Sequence, residues 1–217
     1  MTAISAAELA LSVKFNRPIR NGPLTLFAVM RNEMYFLPAF LEHYRKLGIE
    51  QFVIVDDASD DGTGDYLARQ PDCCSGRTHI RFGEHVSITD PSHEGLSGRA
   101  GPILKRVVPD HYLHGQHVVI ADADEFLILP DALPHVRDVV RLMTARGWKS
   151  VAATLIDFYP ATLAELENPD APADVSELFT RFGLFDAVPF MALAPGRQPV
   201  KSGQTASERL FRLCGTV

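Results

Sequence analysis

Carboxylates gather at the end of an apolar run in the stretch HVVIADADEFLILP, residues 117 to 130. Asp122, Asp124 and Glu125 repel one another and resist burial, so solvent, basic neighbours or a cation must compensate them. Residues i and i+2 of an extended chain share a face, so we expect Asp122 and Asp124 to point one way and Glu125 the other. Two such carboxylates suit Mg²⁺ or Mn²⁺, which take oxygen ligands and complete their shells with water and phosphate. The alternative is that both aspartates cap the following turn and stay solvated.

Polar residues also follow two other apolar runs. Arg31, Asn32 and Glu33 come after LTLFAVM, and Asp56 and Asp57 come after QFVIV. At the end of a buried strand, Asp56 and Asp57 can accept hydrogen bonds from the N–H or hydroxyl groups of a ligand. Arg31 and Glu33 could equally form a salt bridge at the start of a helix instead of binding a ligand.

The elements that position these groups alternate between strands and helices. Apolar runs predict strands at 24–30, 51–55, 78–82, 116–122 and 149–160. Spacings of three and four residues predict helices at 5–15, 31–49, 103–115 and 131–147. In the second of these helices, Pro38 fits best within the first turn and Gly48 supplies a stop. Residues 83–104, rich in Gly, Ser, Pro and His, are expected to form a long loop. This order predicts an α/β fold with a mainly parallel central sheet flanked by helices on both faces. Ligands of such sheets bind beyond the carboxyl ends of the strands, so all three polar groups are expected on one rim.

Composition and spacing exclude several classes of protein. The net charge of −6 and the lack of a basic stripe exclude a nucleic-acid partner. Cys73, Cys74 and Cys214 lack metal-type spacing and fit free thiols in a reducing cytosol, which predicts a cytoplasmic protein. No run of 18 apolar residues occurs, so no transmembrane segment is expected. The motif that contains Gly62 and Gly64 lacks the third glycine of a dinucleotide-binding loop, and the acidic run before it would repel a pyrophosphate. These features exclude a Rossmann dehydrogenase.

Four motifs in this order resemble the family 2-type glycosyltransferases of the GT-A fold, in particular a bacterial subgroup. They are RNE at 31–33, LEHYRKLGI at 41–49, DDASDDGT at 56–63 and DADEF at 122–126. The resemblance covers roughly residues 24–160 and implies a GT-A fold with a nucleotide-sugar donor, expected to be UDP-linked. It also implies Mn²⁺ or Mg²⁺ as the cofactor of an inverting transfer to an acceptor hydroxyl.

The resemblance carries roles onto individual residues. Asp122 and Asp124 would hold the metal against the donor pyrophosphate, and Asp56 would contact the nucleoside base. Lys105 or Arg99 would neutralise phosphate charge. The full set of donor-binding residues implied in this way is Arg31, Asn32, Glu33, Asp56, Asp57, Lys105 and Ala123. Asp157 and Asp186 are candidates for the catalytic base, chosen by position alone.

The expected organisation has three parts. Residues 1–23 form an N-terminal helix and lead-in, 24–160 the nucleotide-sugar-binding core, and 161–217 an acceptor-side segment that ends like a truncated one. The acceptor is expected to be a glycan or a lipid-linked molecule, as in cell-envelope polysaccharide synthesis, and peripheral membrane association stays open. Two alternatives remain, a non-catalytic nucleotide-sugar-binding protein and a nucleotidyltransferase. The second would ordinarily carry a glycine-rich basic loop after its first strand, and VMRNEMYFLP contains no glycine.

Overall fold

A computed structural model describes residues 2–91, 95–151, 153, 155–162, 164 and 170–185 of the 217. These residues fall into two compact units. The first holds residues 2–149 and 170–175, and the second holds the described residues of 150–164 and 176–185. Each unit is described by itself below.

A five-stranded sheet forms the centre of the first unit. Its strands are β2 (Lys14–Phe15), β3 (Thr25–Met30), β4 (Gln51–Asp56), β5 (Cys73–Arg77) and β8 (Val118–Ile120), in the spatial order β2-β5-β4-β3-β8. The pairs β5–β4, β4–β3 and β3–β8 are parallel, whereas the edge strand β2 is antiparallel to β5. The sheet is therefore mixed. A second, smaller mixed sheet has the order β1-β6-β7 and consists of β1 (Thr2–Ile4), β6 (His85–Ile88) and β7 (Ser97–Arg99).

Helices cover both faces of the central sheet. Side chains alternate between the two faces along β3 and β4, and apolar side chains lie on both faces. Every residue of these two strands is buried. Phe27 and Val55 belong to the core on one face, which also contains residues of α1 (Ala6–Ser12) and α4 (Ala100–Tyr112). Leu26 and Ile54 belong to the core on the other face. That second core contains residues of α2 (Leu37–Lys46), α3 (Thr63–Arg69) and α5 (Val136–Arg146). The α/β class is confirmed.

Local chemistry explains where α2 and α5 begin and end. Pro38 lies in the first turn of α2, as predicted, where its missing N–H leaves no hydrogen bond unmade. Gly48 follows α2 with φ of 90°, a left-handed conformation that glycine adopts without steric cost. Gly147 ends α5 in the same way, with φ of 65°. Both helices therefore stop at a glycine.

Two predicted elements are wrong. Residues 78–82 form no strand, and the third parallel strand is instead β5, just upstream. Position 76 of β5 requires glycine for a steric reason: a Cβ there would lie 2.6 Å from Val13 Cγ1 and 2.7 Å from Phe15 Cδ1. Residues 83–104, expected to be a long loop, contribute β6, β7 and the first turn of α4.

The second unit contains a short antiparallel pair and most of one helix. β9 (Phe158–Tyr159) pairs with β10 (Leu184–Phe185), and α6 (Val175–Arg181) begins at the last residue of the first unit. Among the described residues of 149–160, only Phe158 and Tyr159 form the strand predicted there. None of the helices in the described ranges is long and apolar enough to cross a membrane.

Candidate functional site

The carboxyl ends of three neighbouring strands meet at one edge of the central sheet. β3 lies between β4 and β8 and runs parallel to both. The chain therefore leaves the sheet on the same side after Met30, Asp56 and Ile120. Neighbouring parallel strands commonly form ligand sites at this edge, because their loops diverge and leave a crevice.

Asp56 is the last residue of β4, and its side chain is fully buried. Its Oδ2 accepts a hydrogen bond from Arg77 Nε at 2.8 Å. Its Oδ1 accepts one from the amide of Ser59 at 3.2 Å and another from the Ser59 hydroxyl. Both oxygens are therefore occupied by the protein itself. The base contact predicted for Asp56 would require Arg77 or Ser59 to move.

Asp57 has an unsatisfied oxygen. Its side chain is only 5% exposed, and two guanidinium groups approach it: Arg31 Nη1 lies 3.8 Å from Oδ2 and Arg81 Nε lies 2.9 Å from Oδ1. Despite the short distance, Oδ1 accepts no hydrogen bond within the described residues. The Arg81 N–H is therefore not directed at it. A buried carboxylate oxygen without a donor is costly, so an additional donor at Asp57 Oδ1 would be stabilising.

The loops after β3 and β4 are locked together. Asn32 Nδ2 donates to Asp60 Oδ1 at 2.8 Å, and the Asp60 amide donates back to Asn32 Oδ1 at 3.0 Å. The Asn32 amide also donates to Ser59 Oγ, and the Met34 amide donates to Asp61 Oδ2. Asn32 holds the left-handed conformation, with φ of 56°, that this arrangement requires. The side-chain amide of Asn32 is therefore already hydrogen-bonded to Asp60, and it holds the two loops together.

The raised pKa of Glu33 indicates that acidic groups from separate segments converge. Burial, and after it the charges of Asp124, Asp122 and Asp61 in that order, together raise this pKa from 4.5 to about 7. These four residues come from the ends of three strands, and we call them the acidic edge. Because Glu33 follows the central strand of the three, it lies between the contributions of β4 and β8.

The Asp-Ala-Asp motif presents its aspartates outward from a buried backbone. Ala123 is 2% exposed and belongs to the core, whereas Asp124 is exposed. The side chain of Asp122 is 40% exposed and its Oδ1 pairs with Lys105 Nζ of α4. In an extended chain, Glu125 would point to the side opposite to Asp122 and Asp124, but the structure differs from this expectation. Glu125 turns back, and its Oε2 accepts from the Asp122 amide at 2.9 Å.

Helix α2 fixes the segment that follows the motif. The Tyr44 hydroxyl donates to the carbonyl of Glu125 at 3.0 Å and accepts from the amide of Leu127 at 3.2 Å. His43 Nε2 lies 2.9 Å from the carbonyl oxygen of Leu127. Burial raises the pKa of Tyr44 to about 12 and lowers that of His43, so both side chains stay neutral near pH 7. The motif is therefore held by hydrogen bonds as well as by packing.

The acidic edge fits a hard divalent cation that relies on few protein ligands. Its side chains offer only carboxylate oxygens, the ligands that Mg²⁺ and Mn²⁺ prefer. In the described part of the chain, no group of three or more His, Cys, Asp or Glu side chains could hold a metal ion. A cation here would use one or two carboxylates, and water and ligand oxygens would complete its shell, as is common for Mg²⁺.

Three predicted site residues remain to be located: Arg99, Asp157 and Asp186. Arg99 ends β7 and is the residue before α4. Asp157 is half-buried and precedes β9 in the second unit, and Asp186 lies outside the described residues. The role of catalytic base stays a prediction for both.

Two arginines of the site were not predicted. Arg77 and Arg81 pair with the aspartates that follow β4, and they belong to β5 and to the segment after it. The only available signal was their place in the chain, since the strand next to β4 had to end near them. That strand was predicted in the wrong residues, so the signal was lost.

No protein-family model matches the chain, and comparisons with curated proteins and with solved structures likewise find no match. The resemblance to family 2-type glycosyltransferases therefore rests on the motifs alone.

Proposed function

We propose that this protein is a GT-A-fold glycosyltransferase that transfers a sugar from a UDP-linked donor to an acceptor hydroxyl, with inversion. The strongest support is the convergence of carboxylates at the ends of three adjacent parallel strands. The raised pKa of Glu33, which results from burial and from the neighbouring carboxylates, is the sign of this convergence. Like charges that gather from separate segments repel one another, and a bound cation would relieve this repulsion.

The surroundings of Asp57 support a uridine nucleotide. The edge of uracil offers one N–H between two carbonyl oxygens. Asp57 Oδ1 supplies a buried acceptor for the N–H, and the guanidinium groups of Arg31 and Arg81 supply donors within 4 Å of the carboxylate. Cytosine presents an acceptor at the same ring position, which a carboxylate would repel. We therefore assign base recognition to Asp57, whereas Asp56 is already paired with Arg77.

The acidic edge supports the diphosphate part of the donor. Asp122 and Asp124 would hold Mn²⁺ or Mg²⁺, which stabilises the negative charge that develops on a leaving diphosphate. Glu33 raises the local negative charge and so favours cation binding. Tyr44 keeps the Asp-Ala-Asp segment in position through its two backbone hydrogen bonds. An acceptor hydroxyl must lose a proton during transfer, and Asp157 and Asp186 remain the candidates for receiving it.

Calorimetric titration of nucleotides tests this function directly. UDP should bind with Mn²⁺ present and bind much more weakly in EDTA, and CDP, GDP and ADP should bind more weakly than UDP. Asp57→Asn should weaken UDP binding roughly 10- to 100-fold, because a charged hydrogen bond contributes about 1.5–3 kcal/mol. The same change should favour CDP, since an asparagine can donate to cytosine. Asp65→Asn is the matched control, because Asp65 is an exposed aspartate on α3.

Two results would contradict the proposal. If no nucleotide binds with or without metal, the acidic edge has no donor-binding role. If GDP or ADP binds as tightly as UDP, the assignment of base recognition to Asp57 is wrong. Release of UDP from a panel of UDP-sugars, with and without glycan acceptors, then separates a transferase from a non-catalytic binding protein. A protein of the second kind should bind UDP-sugars without releasing UDP above background.

A further inference from the structure

Lys105 and Asp122 form an ion pair at the acidic edge. Lys105 Nζ contacts Asp122 Oδ1, and the two side chains are 31% and 40% exposed. The backbone of Lys105 is fixed, because Leu104 and Val108, its neighbours on α4, are fully buried in the core against the sheet. The ammonium group is at the end of a flexible four-carbon chain, so it can move while the helix stays in place.

The charges around this pair are unequal. Within the described ranges, Lys105 is the one cation that forms an ion pair with a member of the acidic edge. Asp61 is satisfied by backbone amides, which neutralise no charge, and Glu33 and Asp124 form no ion pair there. One of the four carboxylates, Asp122, is thus paired with a cation in this part of the chain.

We propose that Lys105 is the resident counter-cation of the acidic edge and that a divalent cation displaces it from Asp122. This inference rests on the proposed function. A metal ion at Asp122 and Lys105 at the same oxygen would repel each other, so both cannot occupy Oδ1. In the absence of metal, Lys105 keeps Asp122 compensated and the loop ordered. When the cation binds, the ammonium leaves Asp122 and becomes available to the diphosphate that accompanies the metal.

This exchange predicts two effects of opposite sign. Removing the Lys105 charge should tighten Mn²⁺ binding roughly tenfold, since a competing charge and its repulsion are both lost. The same change should weaken UDP binding at saturating Mn²⁺ roughly tenfold, because the diphosphate loses a charged hydrogen bond. A merely structural salt bridge would not produce this combination.

Mn²⁺ affinity is measured by electron paramagnetic resonance of the free ion, without nucleotide, in the wild type and in Lys105→Met. Lys105→Arg keeps the charge and should retain the wild-type Mn²⁺ affinity, and it serves as the second variant if Lys105→Met unfolds. Arg106→Met is the matched control, because Arg106 is an exposed cation at the next position of α4 and should change the affinity only slightly.

The outcomes separate this inference from the proposed function. Tighter Mn²⁺ binding in Lys105→Met, but not in Lys105→Arg or Arg106→Met, supports displacement. Equal or weaker Mn²⁺ binding in Lys105→Met overturns displacement and leaves the proposed function intact, provided that the wild type binds Mn²⁺ and UDP. Absence of Mn²⁺ binding in all four proteins overturns the metal site and, with it, this inference.

Discussion

Replacing Glu33 by glutamine should stabilise the protein above neutral pH. The Glu33 carboxylate is half-buried among Asp124, Asp122 and Asp61, and its pKa lies near 7 in the folded protein. Between pH 4.5 and 7 the unfolded chain gives up the Glu33 proton while the folded protein keeps it. The stability associated with this group is therefore fully present below pH 4.5 and lost as the pH rises through 7.

The size of the effect follows from the pKa. Raising a pKa from 4.5 to about 7 corresponds to roughly 3 kcal/mol. Because Glu33 is only partly buried and solvent screens the charges around it, we discount this value to ~1.5 kcal/mol. Glu33→Gln keeps the shape of the side chain and removes the repelled charge. Its free energy of unfolding should match the wild type at pH 4.5 and exceed it by ~1.5 kcal/mol at pH 8. The corresponding rise in Tm is about 3–6 °C.

Urea denaturation at pH 4.5 and pH 8 measures the difference. Glu42→Gln is the control, because the Glu42 side chain is 44% exposed on α2 and pairs only with Lys46 among the described residues. Its effect should stay small at both values of pH. If Glu33→Gln changes stability equally at pH 4.5 and pH 8, or destabilises the protein at pH 8, carboxylates do not converge on Glu33. The support for the proposed function would then be lost.

Two further predictions concern the surroundings of β4. Arg77→Met should destabilise the protein by about 2–4 kcal/mol, because it leaves the buried Asp56 carboxylate without its cation. Arg137→Met, which removes an exposed ion pair, should cost about 0–1 kcal/mol in the same urea titration, and equal losses would show that the Asp56 pair is not special. Cys73 is fully buried and burial raises its pKa to about 12, so it should resist alkylation at pH 8 in the native protein and react in urea. Peptide mapping by mass spectrometry measures this, and rapid native labelling of Cys73 would contradict the packing of β5.

Strongly apolar elements were predictable because a single kind of signal determined them. β3 and β4 are continuous apolar runs, and both are buried on two faces. Helix α2 has its periodic apolar face and a glycine after its last turn, so both its existence and its end were predicted. Once these elements were in place, parallel pairing alone brought Glu33, Asp57 and the Asp-Ala-Asp motif to one edge.

The elements that sequence could not predict depend on tertiary contacts. The residues of β5, Cys-Cys-Ser-Gly-Arg, have weak strand propensity, and Gly76 is needed only because Val13 and Phe15 pack against it. The pairing of Arg77 with Asp56 and of Arg81 with Asp57 follows from where β5 ends. Nor could the sequence distinguish Asp56, whose two oxygens accept hydrogen bonds, from Asp57, whose Oδ1 accepts none within the described residues.

The place of β8 at the end of the sheet affects when the site can form during folding. Register joins Thr25 to Gln51 on one side of β3 and to Val118 on the other, so the second pairing closes a far longer loop of chain. Long-range parallel pairing is slow, because loop closure must precede the contacts that reward it. β8 is also only three residues long and partly exposed. We therefore expect β8 to dock last and to open first. Amide hydrogen exchange should be faster in β8 than in β3 or β4, and Asp122 and Asp124 would leave the site with β8 while the rest of the sheet stays folded.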